Sequence, residues 1–225
     1  MPMLTLIRQV LTPQQCVDIS AQLDAASWED TKGQAHGSRS ILKTNQQLAA
    51  DDSLGKEIGK TIIQSMLRNP EVQAFAMPRS IRHPTLCRYE QGAEYKEHLD
   101  LPLMLGGTPT RVDLSATIFL TDAADYQGGE LCMLDGPVPQ EIKGAAGDVV
   151  IYSSGACHRV NPVVIGSRRV AVTWIQSMVR NADQRGLLYD LNSAILELES
   201  TGHHDETLQR LRTVQHNMLR MWAEL

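Results

Sequence analysis

The chemistry-bearing residues of this 225-residue chain begin with His98, Leu99 and Asp100, an H-x-D triplet. In an extended segment residues i and i+2 project to the same side, so His98 and Asp100 can face one point while Leu99 packs away from it. His158 follows 58 residues after Asp100, in an apparent strand just past Ser153-Ser154-Gly155-Ala156-Cys157. Two imidazoles and one carboxylate neutralise only one charge of a divalent metal and occupy one of its faces. Three adjacent positions stay open for a chelating co-substrate and a gas molecule, an arrangement suited to non-haem iron(II).

Arg168 lies ten residues beyond His158, past Pro162 and the turn at Gly166-Ser167. A strand returning beside the His158 strand can aim this guanidinium into the same cavity. A buried arginine pairs best with a planar carboxylate, which it orients as well as binds. A dicarboxylic keto acid, chelating the metal at one end and pairing with Arg168 at the other, satisfies both sites. Strand alternation places Arg169 on the opposite side, facing solvent.

The elements that must hold these residues follow from patterning. Residues 3–10 read as a first strand. Thr12-Pro13-Gln14-Gln15 supplies an N-cap, a proline at the first helical position and a capping-box glutamine, which predicts a helix to about Ala25. The polar stretch 29–50, with glycines at 33 and 37 and a histidine at 36, reads as a loop that could close over the site as a lid. Leu54, Ile58, Ile62 and Met66 recur every fourth residue and predict a helix over 53–68.

Strands dominate next. Val112, Leu114, Ala116, Ile118 and Leu120 alternate with polar positions, predicting a strand with one buried face. Further strands are expected at 130–134, 148–152, around His158 and from Arg168 to Ser177. Residues 183–225 read as a helical tail with Leu208, Leu211, Met218 and Trp222 near heptad positions, to be docked on the sheet or used as a dimer seam. The expected fold is α+β with a mainly β core, a jelly roll flanked by N-terminal helices and extended by C-terminal helices. The domain expectation is one catalytic domain over 1–180, its metal-site core at about 80–180, and an extension over 181–225.

Composition narrows the function classes. The net charge is −5 and aromatic residues make up 4% of the chain, which argues against a nucleic-acid-binding face. No apolar run reaches the roughly 18 residues that a membrane span requires, and the first residues do not read as a signal peptide. The four cysteines contain no C-x-x-C pair, so a reduced, cytoplasmic protein is expected.

Context makes the metal reading specific. Arg88-Tyr89-Glu90-Gln91-Gly92, Tyr95, His98-Leu99-Asp100, Gly128-Gly129-Glu130-Leu131, His158, Pro162-Val163 to Arg168 and Trp174 follow in one order. The chain thereby resembles the iron- and 2-oxoglutarate-dependent dioxygenases of the prolyl/lysyl hydroxylase type. It is most similar to the bacterial PKHD-type hydroxylases, also called iron-uptake-associated. The segments Asn45-Gln46-Gln47-Leu48, Ser177-Met178-Val179-Arg180 and Trp222-Ala223-Glu224-Leu225 extend the likeness over nearly the whole length.

The resemblance implies a double-stranded β-helix core with iron(II) on His98, Asp100 and His158. It also implies 2-oxoglutarate on Arg168, with Tyr89 a hydroxyl donor to the same carboxylate. Hydroxylation of a small-molecule or peptide substrate with dioxygen, releasing succinate and carbon dioxide, is the expected reaction. L-Ascorbate is the reductant commonly assigned to this group, and a role in iron acquisition is suggested by resemblance alone. Two rival readings keep the same three ligands: a zinc hydrolase, and a non-catalytic sensor of iron and 2-oxoglutarate that signals through the C-terminal helices.

Other residues receive plainer readings. Trp174 is assigned to the core, Tyr95 to strand packing, Cys157 to packing and Glu130 to pairing with a turn amide. Asp113 and Thr117 face either solvent or the cavity. Arg88 and Arg159 read as surface charges, and His203-His204-Asp205-Glu206 as a solvated helix start rather than a metal patch.

Overall fold

Local sequence signals set the first elements. In the computed structural model, which describes residues 4–31, 43–106, 108–202 and 206–224, β1 (Leu4–Ile7) leads into α1 (Pro13–Asp24). Thr12 and Gln15 form the expected capping box: the Gln15 amide donates to the Thr12 hydroxyl, and the Thr12 amide donates to the Gln15 side chain. Two short strands, β2 (Glu29–Asp30) and β3 (Gln46–Gln47), lie in the stretch read as loop. Residue 36 and residues 203–205 lie outside the described residues. Helix α2 (Ser53–Arg68) matches the fourfold recurrence, burying Ile58, Ile62 and Met66. A helix not foreseen, α3 (Pro70–Ala76), starts where the Asn69 side chain accepts from the Glu71 and Val72 amides.

The rest is strand-rich. In order come β4 (Pro78–Ile81), β5 (Thr85–Tyr89), β6 (Tyr95–His98), β7 (Leu103–Met104), β8 (Thr110–Arg111) and β9 (Leu114–Phe119). Then follow β10 (Gln127–Gly128), β11 (Leu131–Met133), β12 (Gln140–Ile142), β13 (Val149–Ser153) and β14 (His158–Val160). β15 (Val163–Ile165) and β16 (Arg168–Ser177) precede the helices α4 (Ala182–Ser200) and α5 (Glu206–Trp222).

The large sheet runs β1-β13-β9-β16-β5-β3-β2, with β4 beside the far end of β16; the smaller runs β12-β11-β14-β6. Their neighbours pair antiparallel. The two sheets face each other across a shared core that joins Phe119, Val150, Tyr152 and Val170 to Leu131 and Val160. That is the expected jelly roll. A second core fills the outer face of the large sheet, where Leu114, Ala116, Ile118, Val149 and Ile151 meet Ile19, Leu23, Ile58 and Ile62 of the helices.

One expectation is corrected here. β9 was expected to bury a single face, yet all six of its residues are buried. The helices cover Leu114, Ala116 and Ile118, while on the other side Phe119 packs in the inter-sheet core, Ser115 meets Asp100 and Thr117 faces a cavity, so both sides are shielded. Parity along a strand therefore sorts residues between helix-facing and cavity-facing sides. In β16, Val170 belongs to the inter-sheet core, whereas Ala171 and Ile175 join the helix-side core.

The C-terminal helices dock on their own chain. Leu188 of α4 packs with Met77 and Val179, and Met218, Leu219 and Trp222 of α5 close over them. A backbone bridge ties Val179 to Ala223. Among the described residues no helix is long and apolar enough to cross a membrane.

Candidate active site

Cross-strand pairing brings the histidines together. β6 and β14 place His98 directly opposite His158, with ring centres 4.3 Å apart and planes tilted by 52°. Each ring is tethered in the same way. His98 Nδ1 lies 2.7 Å from the Lys96 carbonyl, and His158 Nδ1 lies 2.9 Å from the Ala156 carbonyl, in each case two residues back along the chain. A carbonyl only accepts, so Nδ1 carries the proton of the neutral ring and Nε2 keeps its lone pair for a metal. The Tyr152 hydroxyl, 3.3 Å from His158 Nε2, is then the donor of that contact.

Asp100 stands just beyond the end of β6, where the Ser115 hydroxyl of β9 donates to its Oδ2 at 2.5 Å. One ligand atom each from His98, Asp100 and His158 lie within 4.8 Å of one another. Leu99 does point elsewhere, but it is half exposed rather than packed. Tyr95, read as strand packing, stacks on His98 with ring centres 3.6 Å apart.

Arg168 and Tyr89 are register partners across β16 and β5. Arg168 is 1% exposed, and its guanidinium carbon lies 5.0 Å from the centre of the Tyr89 ring. Its Nε and Nη1 are buried without a hydrogen-bond partner among the described residues. An unpaired buried cation is costly; a carboxylate delivered to these donors relieves that cost. Burial pushes the Tyr89 phenol well above the usual tyrosine range, so it remains a hydroxyl donor.

The triad, Tyr89 and Arg168 line one cavity of about 560 Å³. Its wall holds residues that the sequence did not single out, among them Lys43 and Tyr152. Thr117, left open between solvent and cavity, lines the cavity. Trp174, assigned to the core, lines it too, because it shares the parity of Arg168 on β16. That parity was the available signal.

Other candidates go elsewhere. Arg169 does face away from Arg168, but α1 covers it: Nη2 pairs with Asp24 at 2.6 Å, and the side chain is 19% exposed. Arg88 pairs with Glu90 at 3.0 Å and Arg159 with Glu97 at 3.1 Å. Asp113 is held by Arg111 and the Ser177 amide. Glu130 accepts from the Asn161 side chain rather than from a turn amide. Cys157 is a free, partly buried thiol.

Three ligand-bearing side chains within 4.8 Å of one another and a buried arginine whose Nε and Nη1 have no partner among the described residues, enclosed in a jelly roll, define a class. The sequence pattern of the 2OG-Fe(II) oxygenase superfamily matches residues 84–176, a span that contains all five of these side chains. The fold agrees. A prolyl-4-hydroxylase of Pseudomonas putida superposes with a TM-score of 0.55 at 19% identity, over 77% of this chain and 92% of that one. A prolyl hydroxylase from Trichoplax adhaerens gives 0.54 at 13% identity, over 82% and 86%.

Residues 183–224, the α4–α5 pair, match the PKHD-type hydroxylase C-terminal domain. A PKHD-type hydroxylase of Acidovorax ebreus is 41% identical, over 98% of this chain and 99% of that protein. One from Shewanella baltica is 38% identical over 99% and 100%. The chain belongs to the PKHD-type hydroxylase family.

Proposed function

We propose that His98, Asp100 and His158 hold iron(II), and that Arg168 and Tyr89 hold the distal carboxylate of 2-oxoglutarate, in an enzyme that hydroxylates a small-molecule or peptide substrate. One observation carries the reading: the buried Nε and Nη1 of Arg168, without a partner among the described residues, share a cavity with the triad. In a zinc hydrolase Arg168 would bind substrate instead of co-substrate, and family membership supports the dioxygenase over that reading. When bound, the metal and co-substrate supply dioxygen activation coupled to decarboxylation of 2-oxoglutarate, giving succinate, carbon dioxide and hydroxylated substrate.

The protein's contribution is positional. The Lys96 and Ala156 carbonyls keep each Nδ1 protonated and aim each Nε2 inward. Ser115 holds one carboxylate oxygen of Asp100 and so fixes the direction of the other. With His98, Asp100 and His158 as its three protein donors, a bound metal would keep room for the keto acid and dioxygen. Arg168 sets the orientation of the bound dicarboxylate through directional donors, while Leu131, Val160 and Val172 wall the cavity against water. Once His158 Nε2 is engaged, the Tyr152 proton must turn to another acceptor.

The same proposal places residues 1–180 as the catalytic domain and 181–225 as its extension. L-Ascorbate would be the reductant that keeps the iron in its divalent state, a role supported by the likeness to this hydroxylase group. Four free cysteines support a reducing, cytoplasmic setting. The test is succinate formation from 2-oxoglutarate by iron-loaded protein in air, across a panel of metabolites and peptides. Turnover stimulated by a panel member and lost in His158→Ala supports the proposal; no succinate with any member counts against it.

A further inference from the structure

Among the described residues Lys43 and Arg168 are the lysine and arginine that line the cavity, and only Arg168 is engaged by the co-substrate reading. The other is Lys43. A backbone bridge pairs it with Tyr95, and its Nζ lies 5.9 Å from the centre of the Tyr95 ring, which stacks on His98. The lysine therefore stands one aromatic ring away from a metal-facing imidazole. It is half-buried, and burial pulls its ammonium below the usual lysine range.

Neighbouring basic groups are neutralised locally. Lys96 pairs with Glu94 at 2.6 Å, Arg159 with Glu97 at 3.1 Å and Arg88 with Glu90 at 3.0 Å. Lys43 has no such carboxylate partner among the described residues. Charge arithmetic makes this consequential. With iron(II) and the 2-oxoglutarate dianion in place, their charges cancel against those of Asp100 and Arg168. Among the described residues Lys43 remains the uncompensated cation of the loaded cavity. Keeping a half-buried ammonium unpaired costs free energy, which an incoming anion offsets. Leu101, Met104, Val172 and Trp174 give the cavity an apolar wall, and Asn45, Gln47 and Thr85 add uncharged polar groups.

We propose that the substrate carries an anionic group, a carboxylate or a phosphate, on an apolar body, and that Lys43 receives that group. The proposal rests on the oxygenase reading above and names the substrate class for the same site. Recognition is local, since the chain as a whole carries a net charge of −5 and does not attract anions.

The experiment titrates anaerobic protein, loaded with iron(II) and 2-oxoglutarate, with hexanoate, hexyl phosphate, hexanol and hexylamine. Binding is read from the change in the iron–2-oxoglutarate absorption band and from the melting temperature. At least one anion is expected to bind about tenfold or more tighter than hexanol and hexylamine, the worth of one charge-assisted contact. The better anion identifies the group as carboxylate or phosphate. Lys43→Met should erase the preference while 2-oxoglutarate affinity stays in place, and Lys43→Arg should retain it.

Equal binding of the neutral or cationic probe, no binding of either anion, or an unchanged preference in Lys43→Met would overturn the proposal. So would a loss of 2-oxoglutarate affinity in Lys43→Met, which would assign the lysine to the co-substrate. Wild-type protein that forms no absorption band at all overturns the oxygenase reading instead.

Discussion

Gly129 lies under the stem of Arg168: a Cβ built on Gly129 would stand 3.0 Å from Arg168 Cδ and 3.0 Å from a Val163 methyl. Its backbone φ is +67°, a conformation that L side chains resist. Gly129 is thus a packing requirement of Arg168 as well as part of a turn, whereas its neighbour Gly128 meets the Pro162 carbonyl instead. Gly129→Ala is expected to cost about 1–2 kcal/mol from the left-handed backbone alone, before any displacement of Arg168. Thermal denaturation should show the loss of stability, and calorimetry should show weaker 2-oxoglutarate binding.

Arg168→Met should separate stability from function. Losing one partner of a buried charge pair costs about 2–5 kcal/mol of binding, so the 2-oxoglutarate dissociation constant should rise at least roughly 30-fold. The ligand-free protein should melt no lower than wild type, because Met removes a buried cation whose Nε and Nη1 lack partners among the described residues. A ligand-free variant that melts well below wild type would show the arginine to be structural.

Ser115→Ala tests the group behind the metal site. Ser115 is fully buried, and alanine fits its space. The fold should survive, while Asp100 loses the donor that orients it. Metal affinity is expected to fall about 10–100-fold, as for other groups that orient a ligand, measured by competition with a chromophoric chelator.

The alkaline limb of stability should be steep. Burial raises the Tyr89 and Tyr152 phenols well above their ordinary range, with the cavity cation Arg168 opposing the shift at both. In the unfolded chain both ionise near about pH 10. Above that pH the unfolded state releases protons that the folded state keeps, so stability present below it declines as pH rises. Spectrophotometric titration should find these two phenols silent until the chain unfolds, and Tyr152→Phe should flatten the decline.

Much of the site was legible because its geometry is local. His98 and Asp100 are two residues apart, and Arg168 and Arg169 must take opposite sides of a strand. What covers each side is not local. Arg169 meets α1 instead of water, and Trp174 joins the cavity instead of the core, because each face belongs to a different partner layer. Ser115, Lys43 and Tyr152 reach the site through pairings that connect distant segments, and no spacing rule announces those. The helix over 53–68 was readable from periodicity, whereas α3 begins at an Asn69-Pro70 cap with too few turns to show a period.

The central claim is that His98, Asp100 and His158 form one iron site and Arg168 completes it for 2-oxoglutarate. Anaerobic titration of the protein with iron(II) in the presence of 2-oxoglutarate tests this most directly. The account predicts one equivalent of iron, a visible band that appears only with 2-oxoglutarate, and loss of that band in His98→Ala and in Arg168→Met. Undiminished iron affinity in His98→Ala, or tight zinc binding with no 2-oxoglutarate-dependent band, would contradict it.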